Sequence, residues 1–169
     1  MGKGGKGMLE FNVDKITIPL KQHVGGPCQP IVNVGDHVKR GQLVATPNGL
    51  GANIHTSLSG VVESVDEMNI VVKLDKEQSD DYVKLEPTDD HLQRIKDAGI
   101  VGVGGAGFPT GIKLSAQIPG GYVIANAAEC EPVLGHNVRY MEEHPEELVR
   151  GLKYILKLTG AKEGYIAIK

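Results

Sequence analysis

The run GVGGAGFPTGIKL, Gly102 to Leu114, holds five glycines and a single charge, Lys113. A stretch so poor in β-carbons has little helix or strand propensity, and it leaves the backbone free to turn its N–H groups toward an anion. The spacing G-x-G-x-x-G is met at Gly102, Gly104 and Gly107, the pattern of a strand–turn–helix that holds a dinucleotide pyrophosphate. Phe108-Pro109-Thr110-Gly111 then falls where the helix should run. With Pro109 and Gly111 expected to break that helix, an anion would have to be held by the loop's own N–H groups and by Lys113. The competing reading is a turn whose glycines only let backbones pack closely.

A second element follows. NAAECEP, Asn126 to Pro132, comes directly after the apolar run YVIAN, at what would be the carboxyl end of a strand, where open α/β sheets place ligands. Glu129 lies about twenty residues beyond the loop, as the acidic residue of the dinucleotide fingerprint does. Glu129 and Glu131 flank Cys130 at a loop start, which is poor packing material and better suited to facing a ligand. Cys130 has no base at a recognisable spacing and reads as a buried thiol.

Around these motifs the chain has two grammars. From Ile16 to Leu74 it is rich in Val and Ile, with glycines every few residues and no helical period. ITIPL, QPIVNV, HVKRGQLVAT, NIHTSLSGVVESV and NIVVKL read as short strands, with turns at Gly35-Asp36, Gly41 and Pro47-Asn48-Gly49. From Pro87 onward, PTDDHLQRIKDAG predicts a helix with its N-cap and acidic first turn in residues 87–90 and a stop at Gly99. GIVGVG is strand-like. YVIAN predicts a strand, HPEELVRGLKYILKLTGAK an amphipathic helix ended by Gly160, and GYIAIK a second, parallel strand. A two-stranded parallel sheet has an open edge, so the α/β domain is expected to be partial. The expected division is a flexible tail at 1–15, a β module at 16–75, a polar, acidic linker at 76–87 and the α/β part at 88–169, α+β overall.

Composition narrows the function. Charged residues make up 23% and the formal charge is −3, with no basic cluster for nucleic acid. No stretch approaches the ~20 apolar residues of a membrane helix, so no direct membrane insertion is expected. Aromatics are 4% with no Trp, which leaves the core to Val, Ile, Leu and Ala. Two cysteines, Cys28 and Cys130, cannot ligate a four-cysteine iron–sulfur cluster; free thiols in a cytosolic protein are expected, and no metal ligands are assigned.

The β half resembles the barrel-sandwich modules that carry lipoate or biotin. The shared grammar is V-x-x-G-D-x-V-x-x-G-Q, here Val32 to Gln42, and then S-G-x-V, here Ser59 to Val62. Gly35 and Gly41 would make tight turns, and Val34, Val38 and Val44 would pack inside. Carriers place a lysine at a hairpin tip that falls here at Asn48-Gly49, yet no lysine occurs between Lys39 and Lys73. A scaffold is expected rather than a covalent carrier. His23 and His55 are expected to serve turn networks rather than as ligands.

GVGGAGFPTGIKL followed by ANAAECEP resembles the paired motif of the flavin-binding subunit of respiratory NADH dehydrogenase. It is still more similar to relatives of that subunit: the C subunit of the Rnf ferredoxin–NAD oxidoreductase, the cobalamin reductase of propanediol metabolism and the Rnf-like protein linked to proline reductase. The resemblance covers essentially the whole chain and implies a barrel-sandwich hybrid module followed by part of a Rossmann-like FMN-binding domain. It implies FMN as cofactor and NADH as substrate. By position, Gly102, Gly104, Gly105 and Gly107 would line the flavin, Phe108 would pack beside the nucleotide and Lys113 would lie near it. Asn126 would hydrogen-bond the isoalloxazine, Glu129 would join the cofactor site, and Glu131 would stand where flavin and nicotinamide meet, as the catalytic position. Val103, Ala128 and Cys130 depart from the Arg, Asp and Ser of the respiratory subunit, which leaves one flavin contact at Ala128 unaccounted for.

The family continues into a ubiquitin-like module and [4Fe–4S] clusters, so this chain reads as an amino-terminal fragment, and clusters are expected only in the full-length protein. The implied partners are other electron-transfer subunits or a ferredoxin-like acceptor, at a cytoplasmic place peripheral to a membrane complex. The alternative is a non-catalytic docking or scaffold module of a multi-subunit complex.

Overall fold

The computed structural model describes residues 13–103, 106–128 and 135–168. Two compact units divide between Glu86 and Pro87.

The first unit is all β among its described residues. Its strands are β1 (Lys15–Pro19), β2 (Gln29–Pro30), β3 (His37–Val38), β4 (Leu43–Thr46), β5 (Ile54–His55), β6 (Gly60–Val65) and β7 (Asn69–Leu74). They form a four-stranded sheet in the order β1-β7-β6-β3 and a three-stranded sheet in the order β2-β4-β5, with every pairing antiparallel. Period-two patterning selects the core: along β7, Ile70 and Val72 are fully buried, while Val71 and Lys73 turn away from it. Ile18, Leu20, Val38, Val44, Val62 and Ile54 join them in one cluster. Each such aliphatic side chain contributes about 1.5–3 kcal/mol by burial. Gly60 lets β6 and β7 approach closely, since a β-carbon there would lie 2.2 Å from the Lys73 carbonyl oxygen.

One expected core position moves. Val34 is 64% exposed and Val32 takes the interior place at 8%. The cause is the turn at Gly35, whose N–H donates to the Val62 carbonyl at 2.9 Å, while Asn33 N–H donates to Asp36 Oδ2 at 2.7 Å. Those bonds hold residues 33–36 out of the strand register, so alternation stops at Val32. HVKRGQLVAT likewise divides into β3 and β4 about Gly41, at φ 78°.

Residues 75–83 run along this unit and are bonded to it. Gln78 clamps Ser59 through both amide atoms, accepting from Ser59 N–H at 2.9 Å and donating to the Ser59 carbonyl at 2.9 Å. Val83 N–H donates to the Arg40 carbonyl at 2.8 Å.

The second unit mixes helix and strand: α1 (His91–Asp97), α2 (Thr110–Lys113), β8 (Tyr122–Asn126), α3 (His136–Glu143), α4 (Pro145–Thr159) and β9 (Glu163–Ala167). Asp90 is the N-cap of α1, accepting from Gln93 N–H at 2.9 Å; the acids of the motif therefore precede the first turn rather than fill it. α4 carries Pro145 at its first position and ends at Gly160 in the left-handed conformation, φ 65°. β8 and β9 pair in parallel from Tyr122↔Glu163 to Asn126↔Ala167. One face of the pair meets α4, tightly enough that a β-carbon on Gly164 would sit 3.0 Å from Leu152 Cγ. On the other face Tyr122, Ile124 and Tyr165 are exposed. α3 adds a helix that the sequence pattern does not announce, because polar residues dominate it. GIVGVG is not a sheet strand: its ladder contact among the described residues is an isolated bridge between Val101 and Pro109.

Candidate functional site

The glycine run closes on itself at its neck. Gly102 N–H donates to the Phe108 carbonyl at 2.9 Å, and Thr110 N–H donates to the Ile100 carbonyl at 2.8 Å. These bonds, with the Val101–Pro109 bridge, draw Gly102 and Phe108 together into a narrow neck. Gly107 carries φ 63°, a conformation in which an L side chain is strained. Gly102 has more room, for a β-carbon there would meet nothing closer than 3.7 Å.

Pro109 and Gly111, expected to break a helix, instead border and occupy one. Pro109 is the N-cap residue of the single turn α2, at φ −60° and ψ 117°. Gly111 is buried, and a β-carbon on it would lie 2.4 Å from Lys96 Cγ. Gly111 therefore lets α2 lie against α1, a packing role that the glycine count alone does not reveal. The last turn of α1 is where a neighbour must come close, but nothing local in the sequence identifies which glycine receives it.

Of the residues singled out by sequence, the structure brings Gly102, Gly107 and Phe108 together in the loop and places Lys113 at the end of α2. Lys113 is exposed, and among the described residues no carboxylate lies within ion-pair distance of it. Phe108 is 38% exposed. Asn126 ends β8, and its Oδ1 accepts from Ala128 N–H at 3.1 Å. That bond orients the amide and leaves its NH2 group as a donor. No hydrogen bond joins Asn126 to the loop among the described residues. Gly104, Gly105, Glu129, Cys130 and Glu131 lie outside the described residues.

Taken singly among the described residues, Lys113 offers a cation suited to a phosphate, Asn126 an amide donor at a strand end and Phe108 a partly exposed ring; these are the chemical kinds that a phosphorylated, planar heteroaromatic group requires.

The β unit has its own polar features. A groove of about 490 Å³ is lined by His37, Lys39, Ser59, Asp75 and Tyr82, among others, and none of the residues singled out for the flavin site lines it. His37 Nε2 and Asp75 Oδ2 are 2.9 Å apart at its rim. Inside the unit, His23 and Cys28 are both buried, and burial pushes the Cys28 thiol above its ordinary range. A protonated, buried thiol is inert rather than nucleophilic. Burial also lowers His55 from its usual range, consistent with a neutral structural imidazole.

Comparison with known proteins matches the two units separately. Residues 10–84 match the RnfC barrel sandwich hybrid domain, and residues 95–169 match the Nuo51 FMN-binding domain. The chain is 36% identical to the C subunit of the proton-translocating ferredoxin:NAD(+) oxidoreductase complex of Clostridium ljungdahlii, over 92% of this chain and 38% of that protein. It is 38% identical to the C subunit of the Na(+)-translocating ferredoxin:NAD(+) oxidoreductase complex of Acetobacterium woodii, over 92% of this chain and 40% of that one. To the C subunit of the ion-translocating oxidoreductase complex of Serratia proteamaculans it is 34% identical, over 92% of this chain and 25% of that protein. The chain thus spans well under half the length of these curated relatives. With an RnfC barrel sandwich hybrid domain followed in order by a Nuo51 FMN-binding domain, and with these C subunits as its relatives, the chain is RnfC-like.

Proposed function

We propose that this chain holds FMN and presents it to NADH within an electron-transfer oxidoreductase, with electrons passing onward to iron–sulfur centres that its own two cysteines do not supply. The observation that carries the reading is Lys113, exposed at the end of α2 just after the glycine run and without a carboxylate in ion-pair distance among the described residues, in a segment that matches an FMN-binding domain. The relatives, subunits of ferredoxin:NAD(+) oxidoreductase complexes, support NAD as the hydride partner.

In this reading bound FMN supplies the conversion between two-electron hydride transfer and one-electron transfer. The residues of the chain bind and orient it. Lys113 neutralises the phosphate, and the loop glycines, Gly102, Gly104, Gly105 and Gly107, bring backbone N–H groups against it. Asn126 donates its amide hydrogens to the ring, Phe108 shields the nucleotide from water, and Glu129 completes the cofactor site. Glu131 stands at the flavin–nicotinamide junction. The β8–α4–β9 unit is then the beginning of a Rossmann-like sheet, with the β module before it as scaffold and residues 76–87 as the connection. The chain's place is cytoplasmic, peripheral to a membrane complex and in contact with its other electron-transfer subunits or a ferredoxin-like acceptor; among the described residues no helix is long and apolar enough to cross a membrane.

A docking role is favoured by one observation, the apolar face of β8 and β9 with Tyr122 and Ile124 at 55% and 66% exposure. Titrating FMN into the chain and following the quenching of flavin fluorescence separates the two readings. Saturable quenching that Lys113→Ala weakens supports the cofactor site. No quenching in the full chain, within the complex that contains it, leaves the docking role.

A further inference from the structure

The hairpin tip of the β unit carries a chemical feature that the flavin reading does not use. We propose that Asn48-Gly49 is a self-modification site, at which Asn48 converts spontaneously to aspartate and isoaspartate in the folded protein.

The sequence isolates this position. The chain has asparagines at 12, 33, 48, 53, 69, 126 and 137. Five of them are followed by Val or Ile and Asn126 by Ala, and Asn48 alone is followed by glycine. A β-branched neighbour hinders its own amide nitrogen from reaching the preceding side-chain carbonyl, whereas glycine leaves that nitrogen open on both sides.

The structure adds access and freedom. Asn48 and Gly49 are both exposed, and a β-carbon on Gly49 would meet nothing within 4 Å. Among the described residues neither the Asn48 side chain nor the Gly49 N–H makes a hydrogen bond. The Asn48 carboxamide and the Gly49 amide nitrogen are therefore both available. By contrast, Asn69 is paired within β7, the Asn33 N–H is tied to Asp36, and the Asn126 side chain is bonded to Ala128.

The step balances without any oxidant or cofactor. The Gly49 amide nitrogen attacks Asn48 Cγ, forming a nitrogen–carbon bond as the Cγ–Nδ2 bond breaks. Ammonia leaves, carrying away the Gly49 amide proton, and a five-membered succinimide remains. Water then opens one of its two carbonyl–nitrogen bonds. Opening at the former side-chain carbonyl gives aspartate, and opening at the backbone carbonyl gives isoaspartate, with one extra methylene in the main chain.

That methylene would enter a tip whose flanks are fixed. Gly25, at φ 112°, approaches so closely that a β-carbon on it would lie 1.9 Å from the Leu50 carbonyl oxygen. Gly51 is held similarly, 2.5 Å from Pro47 Cβ and 2.7 Å from His23 Cε1 by the same measure. Conversion at residue 48 thus adds a negative charge and lengthens a loop whose two ends are closely packed.

The test is ageing of the folded chain at mildly alkaline pH, sampled by peptide mapping and by enzymatic methylation of isoaspartyl carboxylates. Isoaspartate should accumulate in the peptide containing residue 48, at least an order of magnitude faster than in those containing Asn33, Asn53 or Asn69. Asn48→Gln, which would need a slower six-membered ring, should abolish the signal without changing the melting temperature. A urea-unfolded control ages in parallel. Accumulation in the unfolded chain but not in the folded one would overturn the proposal, because the folded tip would then block the attack. Persistence of the signal in Asn48→Gln would also overturn it.

Discussion

The Ala52 N–H donates to His23 Nε2 at 3.2 Å, and through that bond the loop after β1 fastens the hairpin tip between β4 and β5. An amide N–H can only donate, so Nε2 carries no proton. The proton is on Nδ1, which donates to the Val24 carbonyl at 3.0 Å. The Ala52 carbonyl then takes the Cys28 S–H, 3.3 Å away. A few residues beyond the exposed Asn48-Gly49 tip, where a carrier module would present a modified lysine, the chain is fastened by a buried polar clasp.

Removing the imidazole leaves the Ala52 N–H buried without an acceptor. His23→Ala should therefore destabilise the β unit by about 1–3 kcal/mol, read as a lower urea midpoint with an unchanged slope. Gly25→Ala should be at least as costly, since the left-handed φ of 112° alone contributes about 1–3 kcal/mol of strain, before the clash with Leu50. A midpoint unmoved by both substitutions would mean the clasp does not hold the tip.

Two buried groups give the β unit opposite slopes of stability with pH. Burial holds the Cys28 thiol protonated above its ordinary 9.0; the unfolded chain loses that proton first, so stability is intact below pH 9.0 and falls as pH rises beyond it. Burial lowers His55 below its ordinary 6.5; the unfolded chain gains that proton first, so stability is intact above pH 6.5 and falls as pH drops below it. Denaturation series across both limits should show a plateau between them. Cys28→Ala should flatten the alkaline limb and His55→Gln the acid limb, each leaving the other in place.

The segment before the second unit makes a sharper prediction than its acidic composition does. Gln78 and Val83 are bonded to Ser59 and Arg40, so limited proteolysis should spare residues 76–83 and cut at 84–88, next to the boundary between the units. Gln78→Ala, which releases the clamp, should move the first cut upstream. Early cutting at 76–80 in the unaltered chain would show that these bonds do not persist in solution.

What is legible in the sequence is what one short-range rule decides. Alternation along NIVVKL puts Ile70 and Val72 inside, and Gly160 with the i, i+4, i+7 spacing of Leu148, Leu152 and Ile155 marks the end and inner face of α4. What is not legible depends on partners remote in the chain. Val34 fits the alternation, yet the bonds that Gly35 and Asp36 make with Val62 turn it outward. Gly111 looks like a helix breaker because Lys96, the neighbour that requires its missing β-carbon, is fifteen positions earlier. His23, a lone histidine by sequence, finds Ala52 across 29 residues. At the candidate site, spacing alone cannot say that, among the described residues, no carboxylate lies within ion-pair distance of Lys113.

Lys113, which has no carboxylate in ion-pair distance among the described residues, governs the last prediction. A charge-assisted contact to a phosphate contributes roughly 1.5–3 kcal/mol, so Lys113→Ala should weaken FMN binding by about tenfold or more. Riboflavin, which lacks the phosphate, should lose little. Glu131→Gln should behave differently: FMN retained, but its reduction by NADH slowed in stopped-flow bleaching, because the proposed place of Glu131 is the junction with nicotinamide. Gly107→Val should abolish flavin binding, since φ 63° excludes a β-branched side chain whatever space surrounds it. The FMN-to-riboflavin ratio is the decisive readout. If Lys113→Ala lowered both affinities equally, the lysine would be supporting the fold of the loop, and the phosphate would have to be held elsewhere.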